Sequence, residues 1–334
     1  MAPHIASIVP CTDRPLVSGI QRLSNCASAS LLVRSTCLCL LGVHSFIVPA
    51  LRRLGPGEFI ALEALAQAVG CAPEVLAEAL RQAATDGAAL DHDPARGYRL
   101  LEPLDWLDAK RIEGAVAATR FNVRIVDACG STNAEMMREA RAGGPGGQVL
   151  AAEVQWEGRG RLGRSWHSGL CNALTFSLLW RTESPASALS GLSLAAGVAI
   201  VRALRRHAVN AQLKWPNDIV YEERKLGGVL IEVQGAGHES CAAVIGVGIN
   251  TRLGAETRRR IDQAATDLTE AGGNIRTRSD WLAAILIEIA AVLDRFARAG
   301  FAPLQREWDG YHAHAGRPVQ LTLPNGARMR GIAA

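Results

Sequence analysis

Nine residues, Gly158-Arg159-Gly160-Arg161-Leu162-Gly163-Arg164-Ser165-Trp166, place three arginines and three glycines between two strand-like segments, Val149 to Val154 and Leu174 to Trp180. Glycine reaches positive φ without steric cost, so the backbone here is free to fold around something. Guanidinium groups fork onto carboxylate and phosphate, so that something is anionic. The stretch therefore demands a strand, a basic loop that is disordered until an anion closes it, and a second strand. Taken alone, an Arg/Gly run also reads as a solvated surface loop, and its neighbours have to decide.

Upstream stands Gly130-Ser131-Thr132-Asn133, where a hydroxyl residue opens a helix; such residues are first of all caps. Downstream come Lys214-Trp215-Pro216-Asn217-Asp218, then Lys225-Leu226-Gly227-Gly228-Val229 and Gly246-Val247-Gly248-Ile249-Asn250. Of 36 basic residues only Lys110, Lys214 and Lys225 are lysine. A generic positive charge in this chain comes out as arginine, so a lysine inside a motif points to a need for a compact ammonium. Asp218 reads as a turn former.

A chain of 334 residues is long enough for two or three domains. A net charge of +4 is too small to argue for nucleic acid. The eight cysteines show no metal-site spacing, which reads as reduced thiols in the cytoplasm. No stretch approaches the roughly 18 apolar residues of a membrane span, so no membrane partner is expected.

Residues 1–45 carry Arg14, Arg22 and Arg34 against the single acid Asp13, with many serines, and read as a disordered extension or a mis-assigned start. Residues 46–102 read as a winged helix-turn-helix: helices Ile47 to Leu54, Ala61 to Val69 and Pro73 to Thr85, then a hairpin from Gly87 to Leu100. Five arginines face seven acids over residues 46–100, a net of −2, and Glu74 and Glu78 sit on the third helix. Phosphate neutralisation supplies most non-specific DNA affinity, so DNA binding by this head is left open with its charge against it.

Residues 103–314 form the large domain. It begins with a helical linker, Leu104 to Glu113, and a strand, Phe121 to Val126. Leu174, Phe176, Leu178 and Trp180 alternate and mark one buried face of a strand. A small-residue helix follows over Gly191 to His207, then strands Gln212 to Trp215, Ile219 to Tyr221, Leu226 to Val233 and Cys241 to Ile249. A long helix, Asp280 to Arg298, has Ser279 as its cap. The class is α+β. Residues 315–334 read as one hairpin with Asn325-Gly326 at its turn.

In this order and spacing the five motifs resemble the bacterial biotin protein ligases that carry a DNA-binding head, from about Phe46 onward. The resemblance implies a central mixed sheet of the class II aminoacyl-tRNA-synthetase and biotin-ligase type. It also implies an SH3-like β-barrel at the C-terminus, of which this chain holds only the start. It implies ATP and biotin as substrates with Mg²⁺, a biotin carboxyl carrier protein or domain as acceptor, and room for a homodimer. Biotin would meet Ser131, Thr132, Asn133, Gln155, Gly158, Arg159, Gly160, Arg161, Lys214 and Gly228. ATP would meet Arg161, Arg164, Trp166, Lys214 and Asn250, with Asp218 placing the metal. Lys214, Arg161 and Arg159 would carry the chemistry. Two other functions stay open: a repressor that senses biotinyl-AMP, and a lipoate-type acyl ligase.

Overall fold

Seven strands make the sheet that carries everything else, in the order β3-β4-β5-β9-β8-β7-β6. They are β3 (Asn122–Cys129), β4 (Gln148–Gln155), β5 (Ala173–Thr182), β6 (Gln212–Lys214), β7 (Asp218–Tyr221), β8 (Arg224–Gln234) and β9 (Cys241–Asn250). Only β3 and β4 run parallel; the other neighbours are antiparallel. This computed structural model describes residues 43–235, 241–275, 277–322 and 327–333.

Helices α6 (Leu192–Arg206) and α8 (Arg278–Ala299) pack on one face of the sheet, over Leu174, Phe176, Leu178, Ile245 and Val247. The small residues of α6, among them Ala195, Ala196, Ala199 and Ala203, allow that close approach. Residues 186–206 are long and apolar enough for a membrane span, contrary to the expectation that no stretch is. The structure accounts for the composition differently, because ten α6 residues lie in the core. On the opposite face, α5 (Thr132–Arg141) seats Met136, Met137 and Ala140 against Leu150, Leu179 and Val244. Strand β5 is therefore buried on both faces, not on the one face that the alternation predicts; Thr175, Ser177 and Leu179 are as enclosed as Phe176.

Ahead of the sheet lie α1 (43–51), α2 (Leu62–Val69), α3 (Pro73–Thr85) and a hairpin of β1 (Leu90–Asp93) and β2 (Gly97–Leu100). Gly70 ends α2 in the left-handed conformation (φ 76°), where its N–H reaches the Ala66 carbonyl at 2.9 Å. Of the expected extension, residues 1–42 lie outside the described residues, while 43–45 belong to α1. Leu65, Leu76 and Leu80 share one apolar cluster with Val154, Leu170 and Cys171 of the large domain.

The linker helix runs later than expected, as α4 (Ala109–Val116), because Asp108 caps it by accepting from the Arg111 N–H at 3.1 Å. Helix α8 is capped by Thr277, which accepts from the Asp280 N–H at 3.2 Å. Ser279 is not that cap; it is buried in the first turn and accepts from the Asp108 N–H at 2.9 Å. Two short helices, α7 (Ala255–Arg260) and α9 (Gln305–Tyr311), lie where the sequence signals no element. Near the C-terminus β10 (Pro318–Thr322) pairs antiparallel with β11 (Arg328–Ile332). The Asn325-Gly326 turn lies outside the described residues.

Candidate active site

Helix α5 begins above the middle of the sheet. Ser131 caps it, with Oγ 3.5 Å from the Ala134 nitrogen. The next two side chains join a buried polar network. The Thr132 N–H and hydroxyl both donate to Gln155 Oε1, at 2.7 and 3.0 Å. Ser177 Oγ, fully enclosed on β5, lies 2.7 Å from Thr132 Oγ1 and 2.6 Å from Asn133 Oδ1. Asn133 Nδ2 donates to Glu232 Oε2 on β8 at 2.8 Å. Gln155 spends its carbonyl on Thr132, which leaves its amide N–H groups for a ligand. Capping and ligand binding therefore do not compete at this helix end.

The segment Asp127-Ala128-Cys129 leads into the helix as strand rather than loop. Its end is tied to the neighbouring strand by Trp156 N–H to Cys129 O (3.1 Å) and Glu157 N–H to Gly130 O (2.8 Å). Burial, then the Glu135 carboxylate, push the Cys129 thiol up to about 12. It stands beside the site as an inert thiol and not as a nucleophile.

Glycines beneath the helix end make room for side chains from above. A Cβ at Gly246 would meet Asn133 Oδ1 at 2.0 Å, and one at Gly248 would meet the Trp166 indole at 2.6 Å. These two glycines on β9 thus seat the Asn133 side chain of the α5 end and the Trp166 indole that closes the Arg/Gly loop. Gly227 serves another purpose: a Cβ there would strike Gly248 O at 2.5 Å, so it permits strand pairing. At Gly228 the nearest atoms, of Asp218, Asn217 and Lys225, lie at 3.4 to 3.6 Å.

In place of the disordered loop expected, residues 158–166 form a small hairpin. Trp166 N–H donates to Gly158 O at 2.8 Å, Gly160 N–H to Arg164 O at 2.7 Å, and a single turn spans Arg161–Gly163. Arg161 Nη1 donates to Asn217 Oδ1 at 3.2 Å, which joins the loop to the turn after Lys214. That turn is held in turn by Asn217 Nδ2 to Val229 O (2.9 Å) and Ser193 Oγ to Pro216 O (3.2 Å). Among the described residues the side chains of Arg159, Arg164 and Lys214 make no hydrogen bond or ion pair. Three cations thus stand exposed at the rim with nothing to neutralise them.

The two motif lysines differ. Lys225 is engaged, with Nζ 2.8 Å from Asp218 Oδ1. Asp218 is therefore committed to a lysine, and among the described residues no three His, Cys, Asp or Glu side chains converge. Asn250 is buried at the end of β9; its Nδ2 donates to Thr266 O at 3.0 Å and Lys225 O at 3.4 Å. Its Oδ1, like the Trp166 Nε1 and the Ser168 hydroxyl, is buried without a partner among the described residues. Buried polar atoms of this kind ordinarily have partners.

Ser177, Glu232, Glu153 and Arg278 belong to none of the sequence motifs. Each is a polar residue in an apolar strand or at a helix start, and such placement was their available signal. Glu153 and Arg278 form a fully buried ion pair, supported by Arg278 Nη1 to Ala173 O (3.1 Å) and Leu107 N–H to Glu153 Oε1 (2.9 Å).

Residues 135–250 match the Biotin/lipoate A/B protein ligase family. The chain is 34% identical over 273 residues to the Bifunctional ligase/repressor BirA of Escherichia coli, covering 81% of this chain and 83% of that protein. It is 32% identical over 242 residues to the Biotin--[acetyl-CoA-carboxylase] ligase of Mycobacterium tuberculosis, covering 70% and 87%. Among solved structures, the biotin protein ligase of Aquifex aeolicus in complex with biotin and ATP superposes with a TM-score of 0.53 at 28% identity. That match covers 63% of this chain and 85% of the other.

Proposed function

The chain belongs to the biotin protein ligases, and from that membership we propose that it joins biotin to a lysine of a carrier domain in two ATP-dependent steps. In the first, the biotin carboxylate attacks the α-phosphate of ATP; a P–O bond forms, pyrophosphate leaves, and biotinyl-5′-AMP remains. In the second, the ε-amine of the acceptor lysine attacks the carbonyl of the mixed anhydride, AMP leaves and the amine gives up a proton.

The observation that carries this reading is the α5 network, joined through β9 glycines to the Trp166 end of a loop that exposes unpaired cations. A cyclic urea has two N–H donors and one carbonyl, which suits Ser131, Thr132 and the free amide N–H groups of Gln155. The dithiolane of a lipoate-type substrate offers no such complement. The first step brings two anions together, so charge must be neutralised where it gathers. Lys214 is the group we assign to that task, since an unpaired ammonium can serve carboxylate and α-phosphate together. Arg159, Arg161 and Arg164 clamp the phosphates, and Trp166 with the Asn250 carbonyl meets the nucleotide.

We read residues 43–100 as a winged helix-turn-helix whose repressor role is absent or slight. Each arginine counted there is already engaged. Arg52 reaches Asp127 and Glu153, Arg53 the Pro49 carbonyl, and Arg81 Glu78. Arg96 lies over the Phe59 ring, and Arg99 pairs with Asp91. The hairpin of β10 and β11 is read as the opening of a small C-terminal barrel. Cys71, Cys129, Cys171 and Cys241 are free thiols, in keeping with the cytoplasm.

The test is transfer of labelled biotin from ATP and biotin to a biotin carboxyl carrier domain. A carrier whose acceptor lysine is replaced by arginine serves as control. Label on the native carrier alone supports the proposal; no label on either rejects it.

A further inference from the structure

We propose that Arg52, the residue that follows the first helix of the head, is a positioning residue for the biotin end of the site. It would hold the ends of β3 and β4 at their working separation. The inference rests on the assignment of Ser131, Thr132 and Gln155 to biotin.

Arg52 leaves α1 and crosses to the two parallel strands of the sheet. Its Nε and Nη2 donate to Asp127 Oδ1 on β3, at 3.2 and 3.0 Å, and Nη2 also donates to Glu153 Oε1 on β4 at 3.2 Å. The Trp106 ring lies beneath the guanidinium, 4.4 Å away. One planar cation thus ties together adjacent strands that share no side-chain ion pair of their own. Asp127 precedes Ser131 by four residues, and Glu153 precedes Gln155 by two. Beyond the clamp, these strand ends carry the two halves of the polar network, which meet at the bond from Thr132 to Gln155.

A second head contact falls on the same strand end. The His44 ring of α1 packs on Trp156, the residue after Gln155, with ring centroids 4.2 Å apart. The apolar cluster running from Ile47 and Leu51 into Val154 fixes α1 against β4 between these two contacts. Helix α1 is therefore braced against β4 from Glu153 to Trp156 and against β3 at Asp127. Arg278 already neutralises Glu153 from the other side. Arg52 is thus not needed to keep that carboxylate paired, and geometry is the contribution left to it.

This arrangement gives the head a task that needs no nucleic acid. It also separates ligands: the clamp lies behind the residues assigned to biotin, whereas Asn250, Trp166 and Arg164 stand on other elements. Loss of the clamp should weaken biotin and leave ATP nearly untouched. A hydrogen bond stretched or lost at the ligand is worth about a factor of ten in affinity.

The experiment uses the full chain and steady-state pyrophosphate release, with Arg52→Met, Arg52→Lys, Asp127→Asn and the Arg52→Met/Asp127→Asn double variant. We expect Arg52→Met to raise KM for biotin by about tenfold with KM for ATP and kcat within twofold of wild type. Arg52→Lys should recover part of the loss. Asp127→Asn should give a smaller rise, and the double variant little more than Arg52→Met alone, because both remove one clamp. Asp127 is half-exposed, so its variant keeps the test usable if Arg52→Met folds poorly. An unchanged biotin KM in Arg52→Met and in Asp127→Asn overturns the proposal, as does a parallel rise for biotin and ATP together with a lowered Tm. A wild-type chain that releases no pyrophosphate with biotin overturns the ligase reading itself, which is a different result.

Discussion

Ser177→Ala tests whether the α5 network serves a ligand or only the fold. The hydroxyl is fully enclosed and lies 2.7 Å from Thr132 Oγ1 and 2.6 Å from Asn133 Oδ1. Alanine removes the donor. The Asn133 carbonyl then stays buried unpaired or rotates away, and rotation breaks the hydrogen bond that its Nδ2 donates to Glu232. A buried acceptor without a donor costs about 1 to 3 kcal/mol. Part of that cost falls on the empty protein, as a Tm lower by about 2 to 4 °C for each kcal/mol. The remainder falls on binding, since a re-aimed Thr132 and Gln155 no longer match the urea. We expect biotin to bind about tenfold more weakly by calorimetry, which corresponds to about 1.4 kcal/mol. ATP affinity should stay within a factor of two. A lowered Tm with unchanged biotin affinity would refute the reasoning and confine the network to folding.

Lys214→Arg should keep biotin binding yet lose adenylation by at least a few tens of fold, because one transition-state donor is worth roughly 3 to 4 kcal/mol; single-turnover pyrophosphate release measures it. Arg161→Gly removes the bond to Asn217. It should release biotinyl-AMP faster and label bystander lysines on a carrier protein with no acceptor site, read by adenylate off-rate and blotting. The head should bind duplex DNA only weakly at physiological salt, with or without biotinyl-AMP, and nanomolar sequence-dependent shifts would contradict this. The Arg202 guanidinium donates to Glu307 and, against the opposing effect of burial, holds its carboxyl below the usual range. A depressed carboxyl pKa stabilises the fold above the unfolded value, and that contribution is lost as pH falls through the folded one. Glu307→Gln should therefore lower Tm at pH 7 and show a flatter decline than wild type below about pH 4.5.

Local patterns made most of the elements legible. Helix α3 begins at a proline and runs as its periodicity indicates, and α2 stops at Gly70. The motifs likewise placed the Arg/Gly run between β4 and β5 and Lys214 at the end of β6. What escaped depends on contacts distant in sequence. Ser177 looks like an interruption of an apolar strand until α5 is seen to cover that face. Asp218 carries no sign of its pairing with Lys225 until β7 and β8 are aligned. Helix α7 holds six residues, four of them charged, and its periodicity is too short to read. The cap of α8 was misplaced because Thr277 and Ser279 are both competent, and only packing against Asp108 decides between them.

The central claim is that this site activates the carboxylate of biotin and not that of another acyl acid. Pyrophosphate release from ATP by the purified chain, with biotin or with lipoate as the only added acid, addresses it directly. The account predicts release with biotin that is lost in Lys214→Arg, and none above background with lipoate. Equal release with both acids, or release with lipoate alone, would contradict it.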